Sequence, residues 1–152
     1  MFELSKTETD FLKALDANNV RFMIVGLTSA VLQNAHVVTQ DIDLWIESPG
    51  SESFNKAVES VGGFYVPPGT VGMNPPMLGP ASLKIFDIVI HMHGLESFDE
   101  EYKKSKTTDL AGLKIHLLPL ERIIISKKTA NREKDRAAIP ALEAALAVSN
   151  EK

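Results

Sequence analysis

Two aspartates one residue apart, Asp41 and Asp43, are the residues whose types and spacing point most directly to chemistry. Side chains two apart on a β-strand share one face, so both carboxylates would point the same way from the start of an apolar strand. Carboxylates held close together raise each other's pKa unless a cation lies between them. A hard divalent cation such as Mg2+ suits that place, because it prefers carboxylate oxygens and keeps coordination sites open for phosphate. The other interpretation of the pair is turn chemistry at a strand start.

A glycine precedes this pair, at the end of the apolar run 20–25, and a helix-like stretch follows it. Gly26 would form the turn from strand to helix, and the start of the helix would offer backbone N–H groups to an anion. A phosphate bound there would lie near a cation held by Asp41 and Asp43. The sequence therefore predicts a phosphate-binding turn beside a metal site.

A third carboxylate, Asp87, is the natural partner for the pair, because phosphoryl transfer with two metal ions needs a further ligand facing the first two. It is a lone acidic residue in the apolar run 84–91, and its alternative role is a structural ion pair. With a period of two, His91 and His93 would share its face. His91 would then be a further ligand or a polar residue at a strand edge, whereas His36 is expected in a loop.

Hydrophobic periodicity and capping signals divide the chain into helices and strands. Helices are predicted at residues 5–18, 28–34, 51–61, 98–106, 119–129 and 133–148. Strands are predicted at residues 20–25, 41–46, 64–66, 82–92 and 113–117. The proline-rich and glycine-rich segment 67–80 is predicted to be a loop that serves as a lid, a dimer contact or plain surface. The order of elements predicts an α/β or α+β fold, in which helices flank a mixed sheet and the C-terminal helices pack on the core.

The stretch 120–135 places a lysine among apolar residues. Leu120, Ile123, Ile124 and Lys127 share one stripe of the predicted helix,. A lysine on a stripe that faces the core must find an anion or extend its ammonium group to solvent. The plainer interpretation of this lysine and its basic neighbours is a solvated face.

Together these motifs resemble the nucleotidyltransferase superfamily, which has the fold of DNA polymerase β, and within it a small bacterial branch of AbiEii-toxin-like proteins. The first motif keeps the gap between glycine and aspartate, and its matching residues are Gly26, Thr39, Asp41, Ile42, Asp43 and Leu44. Asp87 matches the third carboxylate in its apolar setting. Lys127 and Asp135 match a lysine that approaches the nucleotide phosphates in relatives and an aspartate that orients it.

The chain departs from the resembling pattern at Leu27, where relatives carry a glycine or serine that meets the triphosphate. Thr28 and Ser29 are expected to supply the hydroxyl instead. Val37 and Ala138 stand where relatives carry an arginine and an aspartate. Leu27 is expected to turn into the core and leave its N–H free for phosphate. The alternative is a side chain that projects into the cleft and blocks it.

The resemblance implies an enzyme that uses Mg2+ or Mn2+ and moves a nucleoside monophosphate from an NTP to a hydroxyl of an RNA, a protein or a small molecule. The implied catalytic and metal-binding residues are Asp41, Asp43 and Asp87. The implied nucleotide-binding residues are Gly26, Thr28, Ser29, Lys127 and Asp135. A toxin–antitoxin setting is a further implication. The alternatives are a catalytically weakened module that binds nucleotide or a protein partner and, without a supporting signature, a metal-dependent phosphohydrolase.

Size and composition limit the functions that the chain can have. Its 152 residues are predicted to form one domain, residues 1–152, with room for a core,. A net charge of −4 does not support binding of nucleic acid by charge alone,. The absence of cysteine excludes a thiolate nucleophile and a cysteine zinc site, and it is typical of a cytoplasmic protein,. No apolar run approaches the roughly 20 residues that cross a membrane.

Overall fold

The computed structural model describes residues 3–151 and contains a five-stranded sheet with a hydrophobic cluster on each face. The helices are α1 (Lys6–Ala17), α2 (Gly26–Leu32), α3 (Glu52–Ser60), α4 (Phe98–Lys103), α5 (Leu120–Ala130) and α6 (Glu133–Asn150). The strands are β1 (Phe22–Val25), β2 (Ile42–Ile46), β3 (Phe64–Val66), β4 (Met77–Gly79), β5 (Phe86–Val89), β6 (Lys106–Leu110) and β7 (Leu113–Leu117). A 3₁₀ turn, Ala81–Leu83, precedes β5.

The main sheet has the strand order β5-β2-β1-β7-β6 and mixes both strand directions. β2 runs antiparallel to β1 and parallel to β5, while β7 runs parallel to β1 and antiparallel to β6. β3 and β4 form a separate antiparallel pair. The prediction of a mixed sheet flanked by helices is therefore confirmed.

Alternation along the central strands sends side chains to two different cores. On β1, Phe22 and Ile24 belong to a cluster with the apolar residues of α1 and α3. Met23 and Val25 belong to a second cluster with residues of α5 and α6. Asp43 is the register partner of Val25, so it lies on the face of the sheet that α5 and α6 cover,.

Local sequence signals account for how α1 begins and what it buries. The Ser5 hydroxyl accepts a hydrogen bond from the Glu8 backbone N–H at 3.1 Å, and the Glu8 carboxylate accepts one from the Ser5 N–H at 2.8 Å. This reciprocal pair confirms the predicted capping box. Phe11, Leu12 and Leu15, spaced as one helical stripe, are fully buried against the sheet,.

Several predicted elements at the two ends of the sheet differ from the structure. The predicted strand 82–92 is too long, because the 3₁₀ turn occupies its start and β5 ends at Val89. The predicted helix 98–106 ends at Lys103, and β6 then begins at Lys106. β6 forms because a tight turn at Ala111 and Gly112, both with positive φ, folds it back on β7,. The predicted loop 67–80 also ends in a short strand, β4.

No helix within residues 3–151 combines the length and the apolar character needed to cross a bilayer.

Candidate active site

Asp43 and Asp87 face each other on neighbouring strands. They are register partners in the parallel pair of β2 and β5, and their carboxyl groups lie within hydrogen-bonding reach of each other. Partial burial and the charge of Asp87 raise the pKa of Asp43 to about 6, although Lys127 opposes the shift,. Burial and the charge of Asp41 raise the pKa of Asp87 above its usual value. The carboxylates of Asp41, Asp43 and Asp87 therefore lie close enough to repel one another. A cation bound among them would relieve this repulsion.

Gly26 leaves room for this arrangement at the first residue of α2. Its φ is +63°, a conformation that side chains rarely adopt,. A Cβ atom at Gly26 would stand 2.5 Å from the Asp43 carboxylate oxygen Oδ2. The glycine is therefore required both by the backbone turn and by the carboxylate that lies against it.

Asp41 lies just before β2, with an exposed side chain and a firmly held backbone. Its carbonyl oxygen accepts hydrogen bonds from the Thr28 hydroxyl at 2.6 Å and from the Thr39 hydroxyl at 3.2 Å. The spacing of Thr39 and Asp41 thus has a physical role here, since the Thr39 hydroxyl helps to hold the backbone that presents the first aspartate. In residues 3–151, no three His, Cys, Asp or Glu side chains are already arranged to hold a metal ion. A third ligand beside Asp43 and Asp87 would therefore require side-chain movement.

Thr28 and Ser29 do not offer their hydroxyls to the cleft, contrary to the sequence-based expectation. Thr28 is almost fully buried and donates to the Asp41 carbonyl. Ser29 is fully buried and donates to the Leu118 carbonyl oxygen at 2.7 Å. Both hydroxyls hold α2 against its neighbours, so we assign them a structural role.

Leu27 is half-buried and packs against the hydrophobic cluster that contains Met23 and Val25. Its side chain therefore has apolar contacts of the kind expected for an inward orientation. Burial of a leucine is favourable, so this packing stabilises the start of α2.

The lysine of α5 approaches the carboxylates through a buried ion pair. Lys127 Nζ lies 3.3 Å from Asp135 Oδ1, and its charge lowers the pKa of Asp43. Asp135 is fully buried and also accepts hydrogen bonds from the backbone N–H and the guanidinium of Arg132. Burial opposes ionisation, but these partners outweigh it and hold the pKa of Asp135 at about 2. The ion pair with Asp135 thus holds the Lys127 ammonium group near the carboxylate of Asp43.

Two basic residues near the site, Arg132 and Lys134, were assigned from the sequence only to a solvated face. Arg132 is the main partner of Asp135, and the spacing of three residues at the start of α6 was the available signal, because it is the spacing of a capping box,. Lys134 lies close enough to lower the pKa of Asp43. No local pattern distinguishes it from the other lysines of the basic face.

The histidines do not join the carboxylates. β5 ends at Val89, so His91 and His93 lie in the following loop, where both are exposed and their rings are 5.4 Å apart. The expected alignment with Asp87 is therefore wrong. His36 is exposed in a loop, as expected.

A cavity of about 520 Å³ adjoins Asp87 on the outer side of β5. The β3–β4 pair and the proline-rich segment 67–80 form its other walls. The segment 67–80 thus covers part of the sheet edge next to the carboxylates.

No protein-family model matches the sequence, and no curated protein matches it. Solved structures of the antibiotic-resistance factor ANT(2'')-Ia, an aminoglycoside nucleotidyltransferase, are similar in fold. Its solution structure gives a TM-score of 0.62 at 16% sequence identity, over 92% of this chain and 82% of that one. Its crystal structure with adenylyl-2''-tobramycin gives a TM-score of 0.58 at 18% identity, over 93% and 88% of the two chains. The chain described here therefore has a nucleotidyltransferase-like fold.

Proposed function

We propose that this protein transfers a nucleoside monophosphate from an NTP to a hydroxyl acceptor. The observation that carries the proposal is the pairing of Asp43 with Asp87 across two parallel strands, directly against the side-chain-free start of α2. A purely structural pair of carboxylates would be expected to have a buried cationic partner instead of another carboxylate. The fold shared with ANT(2'')-Ia supports the same chemistry.

A divalent metal ion fits the chemistry of these donors. Asp43 and Asp87 supply hard carboxylate oxygens, and partial burial together with the neighbouring carboxylates raises the pKa of both groups,. We propose that both residues hold Mg2+ or Mn2+, with Asp41 completing the set. The ion would neutralise phosphate charge and lower the pKa of the acceptor hydroxyl.

The remaining residues of the site position the substrates. Gly26 has no side chain, so the Asp43 carboxylate can lie directly against the first residue of α2. Lys127, held by Asp135, adds a positive charge on the side of α5. Asp87 would accept the proton of the attacking hydroxyl, because it is the exposed member of the pair,.

Titration calorimetry with ATP, GTP, CTP and UTP, each with and without Mg2+, tests the proposal. Wild-type protein should bind at least one of the four in a manner that depends on Mg2+, and Asp43→Asn should abolish that dependence. Asp109→Asn, an exposed aspartate on β6, is the matched control. Absence of Mg2+-dependent binding to any of the four nucleotides would show that the proposal is wrong.

A second candidate is a module with this fold that binds nucleotide or a protein partner without catalysis. It is favoured by one observation, namely that residues 3–151 contain no preformed set of three metal ligands. Transfer of a labelled nucleotide to an acceptor separates the two candidates, since only the enzyme turns over. The toxin–antitoxin setting and the AbiEii-like branch stay predictions from the resemblance.

A further inference from the structure

The cavity beside Asp87 is placed to hold a molecule next to the carboxylates. Its volume of about 520 Å³ lies in the range typical of small-molecule sites,. Asp87 belongs both to its lining and to the carboxylate cluster. A ligand in the cavity would therefore reach the reacting centre directly.

The walls of the cavity are mainly apolar. They include Phe64, Val66, Pro75, Pro76, Met77 and Leu78. Phe64 and Met77 are 54% and 47% exposed, although burial of such side chains is favourable,. Exposed apolar groups gathered around a concavity indicate a surface that is covered by a ligand.

The aromatic wall of the cavity is the ring of Phe64 on β3, which packs against the backbone of β4. A Cβ atom at Gly79 would collide with the ring of Phe64, so this ring lies directly over the glycine. The ring and the strand therefore form a continuous apolar surface, which favours a planar or aliphatic body in the cavity.

The charges of the lining are few and of opposite sign. Lys84 and Asp87 are the charged residues among the described residues that line the cavity. A polyamine placed there would find one carboxylate and would be repelled by the lysine. The outer edge of β5 adds backbone N–H and C=O groups, because β5 is a terminal strand of the main sheet,. These groups suit a single neutral polar substituent.

We propose that this cavity binds the acceptor, and that the acceptor is a small molecule with a hydroxyl group on an apolar body. This inference rests on the proposed function. In the reaction, the hydroxyl oxygen forms a bond to the α-phosphorus of the NTP, and the bond from that phosphorus to the bridging oxygen breaks. Pyrophosphate leaves with the bonding electrons, and the hydroxyl proton passes to Asp87.

The proposed acceptor differs from the one bound to the protein of similar fold. ANT(2'')-Ia has been crystallised with adenylyl-2''-tobramycin, whose aminoglycoside part is a polyamine. The lining described here lacks the several carboxylates that would recognise such a polycation. The two proteins therefore share a fold and differ in acceptor.

Three probes of different chemistry test the acceptor class: 4-phenyl-1-butanol, maltose and tobramycin. Their dissociation constants are measured by chemical-shift titration of isotopically labelled full-length protein. The alcohol should bind at least tenfold more tightly than the sugar or the polyamine. Met77→Glu and Phe64→Ser should each weaken its binding fivefold or more, whereas Met73→Glu should change it less than twofold. Met73 is the matched control, because it is fully exposed on the same segment and does not line the cavity.

Transfer is then followed with Mg2+ and whichever NTP binds, by release of pyrophosphate and by the mass of the phosphodiester formed on the alcohol. Tighter binding of tobramycin, equal effects of the Met73 and Met77 variants, or no transfer to the alcohol would each overturn the acceptor assignment. The proposed function has its own readout, which is Mg2+-dependent NTP binding that is lost in Asp43→Asn. If that binding persists while the probes fail, only the acceptor assignment is wrong.

Discussion

The carboxyl group of Asp43 makes the stability of the metal-free protein depend on pH. Its pKa is about 6 in the folded protein against an ordinary value of 3.8, so the folded state binds this proton more tightly than the unfolded chain. The free energy of unfolding should therefore fall as the pH rises from about 4 to about 6, and it should stay lower at neutral pH. We expect Asp43→Asn to remove this dependence and to stabilise the protein at pH 8 by about 1–3 kcal/mol.

Urea unfolding in EDTA at pH 5 and pH 8 measures this effect. Asp109→Asn on the exposed surface of β6 is the control, and its slope should match that of the wild type. Added Mg2+ should raise the stability of the wild type at pH 8 and leave Asp43→Asn almost unchanged. A variant that is less stable than the wild type at pH 8 in EDTA would contradict the assignment of repulsion to this site.

A second prediction at the residue scale concerns Leu27. Because its side chain packs against the cluster of Met23 and Val25, Leu27→Ser should lower the free energy of unfolding by about 1–3 kcal/mol. The affinity for Mg-NTP, measured by calorimetry, should stay within a few fold. A tenfold gain in affinity, about 1.4 kcal/mol, would instead show that the leucine blocks the nucleotide in the natural protein.

How much of the site could be predicted depended on the kind of contact each residue makes. Asp41 and Asp43 were predicted to share one face from strand periodicity, which is a local property of the chain. Asp87 lies on another strand, and it was expected beside them because two-metal phosphoryl transfer needs a third carboxylate,. The role of Ser29 was not accessible in the same way, because its hydroxyl bonds to the carbonyl of Leu118, which is 89 residues away. A hydroxyl near a site looks the same in the sequence whether it faces a ligand or a distant backbone.

At the scale of elements, the junction of α5 and α6 holds the ammonium group beside the cleft. Asp135 keeps its three hydrogen bonds from Arg132 when Lys127 is removed. Lys127→Ala should therefore lower the free energy of unfolding less than Asp135→Ala does, while weakening Mg-NTP binding severalfold,. Asp135→Ala should cost more, about 1–3 kcal/mol, because the partly buried Lys127 ammonium and the Arg132 backbone N–H lose their acceptor, while the exposed Arg132 guanidinium can turn to water,.

Thermal unfolding and calorimetry on both variants distinguish anchoring from simple packing. Lys128→Ala is the control, since its partner Glu143 is exposed and lies away from the carboxylates. If Lys127→Ala and Lys128→Ala weaken nucleotide binding equally, the lysine of α5 has no special role.

Element boundaries were predicted well where a local sequence signal, such as a helix cap, marks them. They were predicted poorly where pairing with another strand determines the structure. Ser5 and Glu8 form a capping box, which marks the start of α1 within a single helical turn,. β6 has the sequence Lys-Thr-Thr-Asp-Leu, which carries little apolar pattern, and it is a strand because β7 offers it hydrogen bonds. The short strand β4 was not predicted, because it lies in a proline-rich segment and its pairing with β3 is a non-local interaction.

At the scale of the whole molecule, substrate binding should stabilise the fold, because the site draws on β2, β5, α2 and α5 together. A ligand at one hundred times its Kd adds about 2.7 kcal/mol to the free energy of unfolding. For a chain of this size we expect a rise in Tm of about 5–10 °C with Mg2+ and a cognate NTP. Differential scanning calorimetry should show a smaller rise with either component alone. A rise of equal size in Asp43→Asn would place nucleotide binding elsewhere.

The two margins of the sheet also differ in how they would meet another copy of the chain. β6 carries Lys106 and Asp109 in exposed positions, and charges on a terminal strand discourage edge-to-edge pairing with a strand of another chain,. β5 carries Asp87 as its one charge along 86–89, and part of the segment 67–80 flanks it across the cavity instead. The covering segment therefore also serves colloidal stability. A chain shortened across it should scatter more light at high concentration, and a lysine introduced on β5 should restore clear solutions.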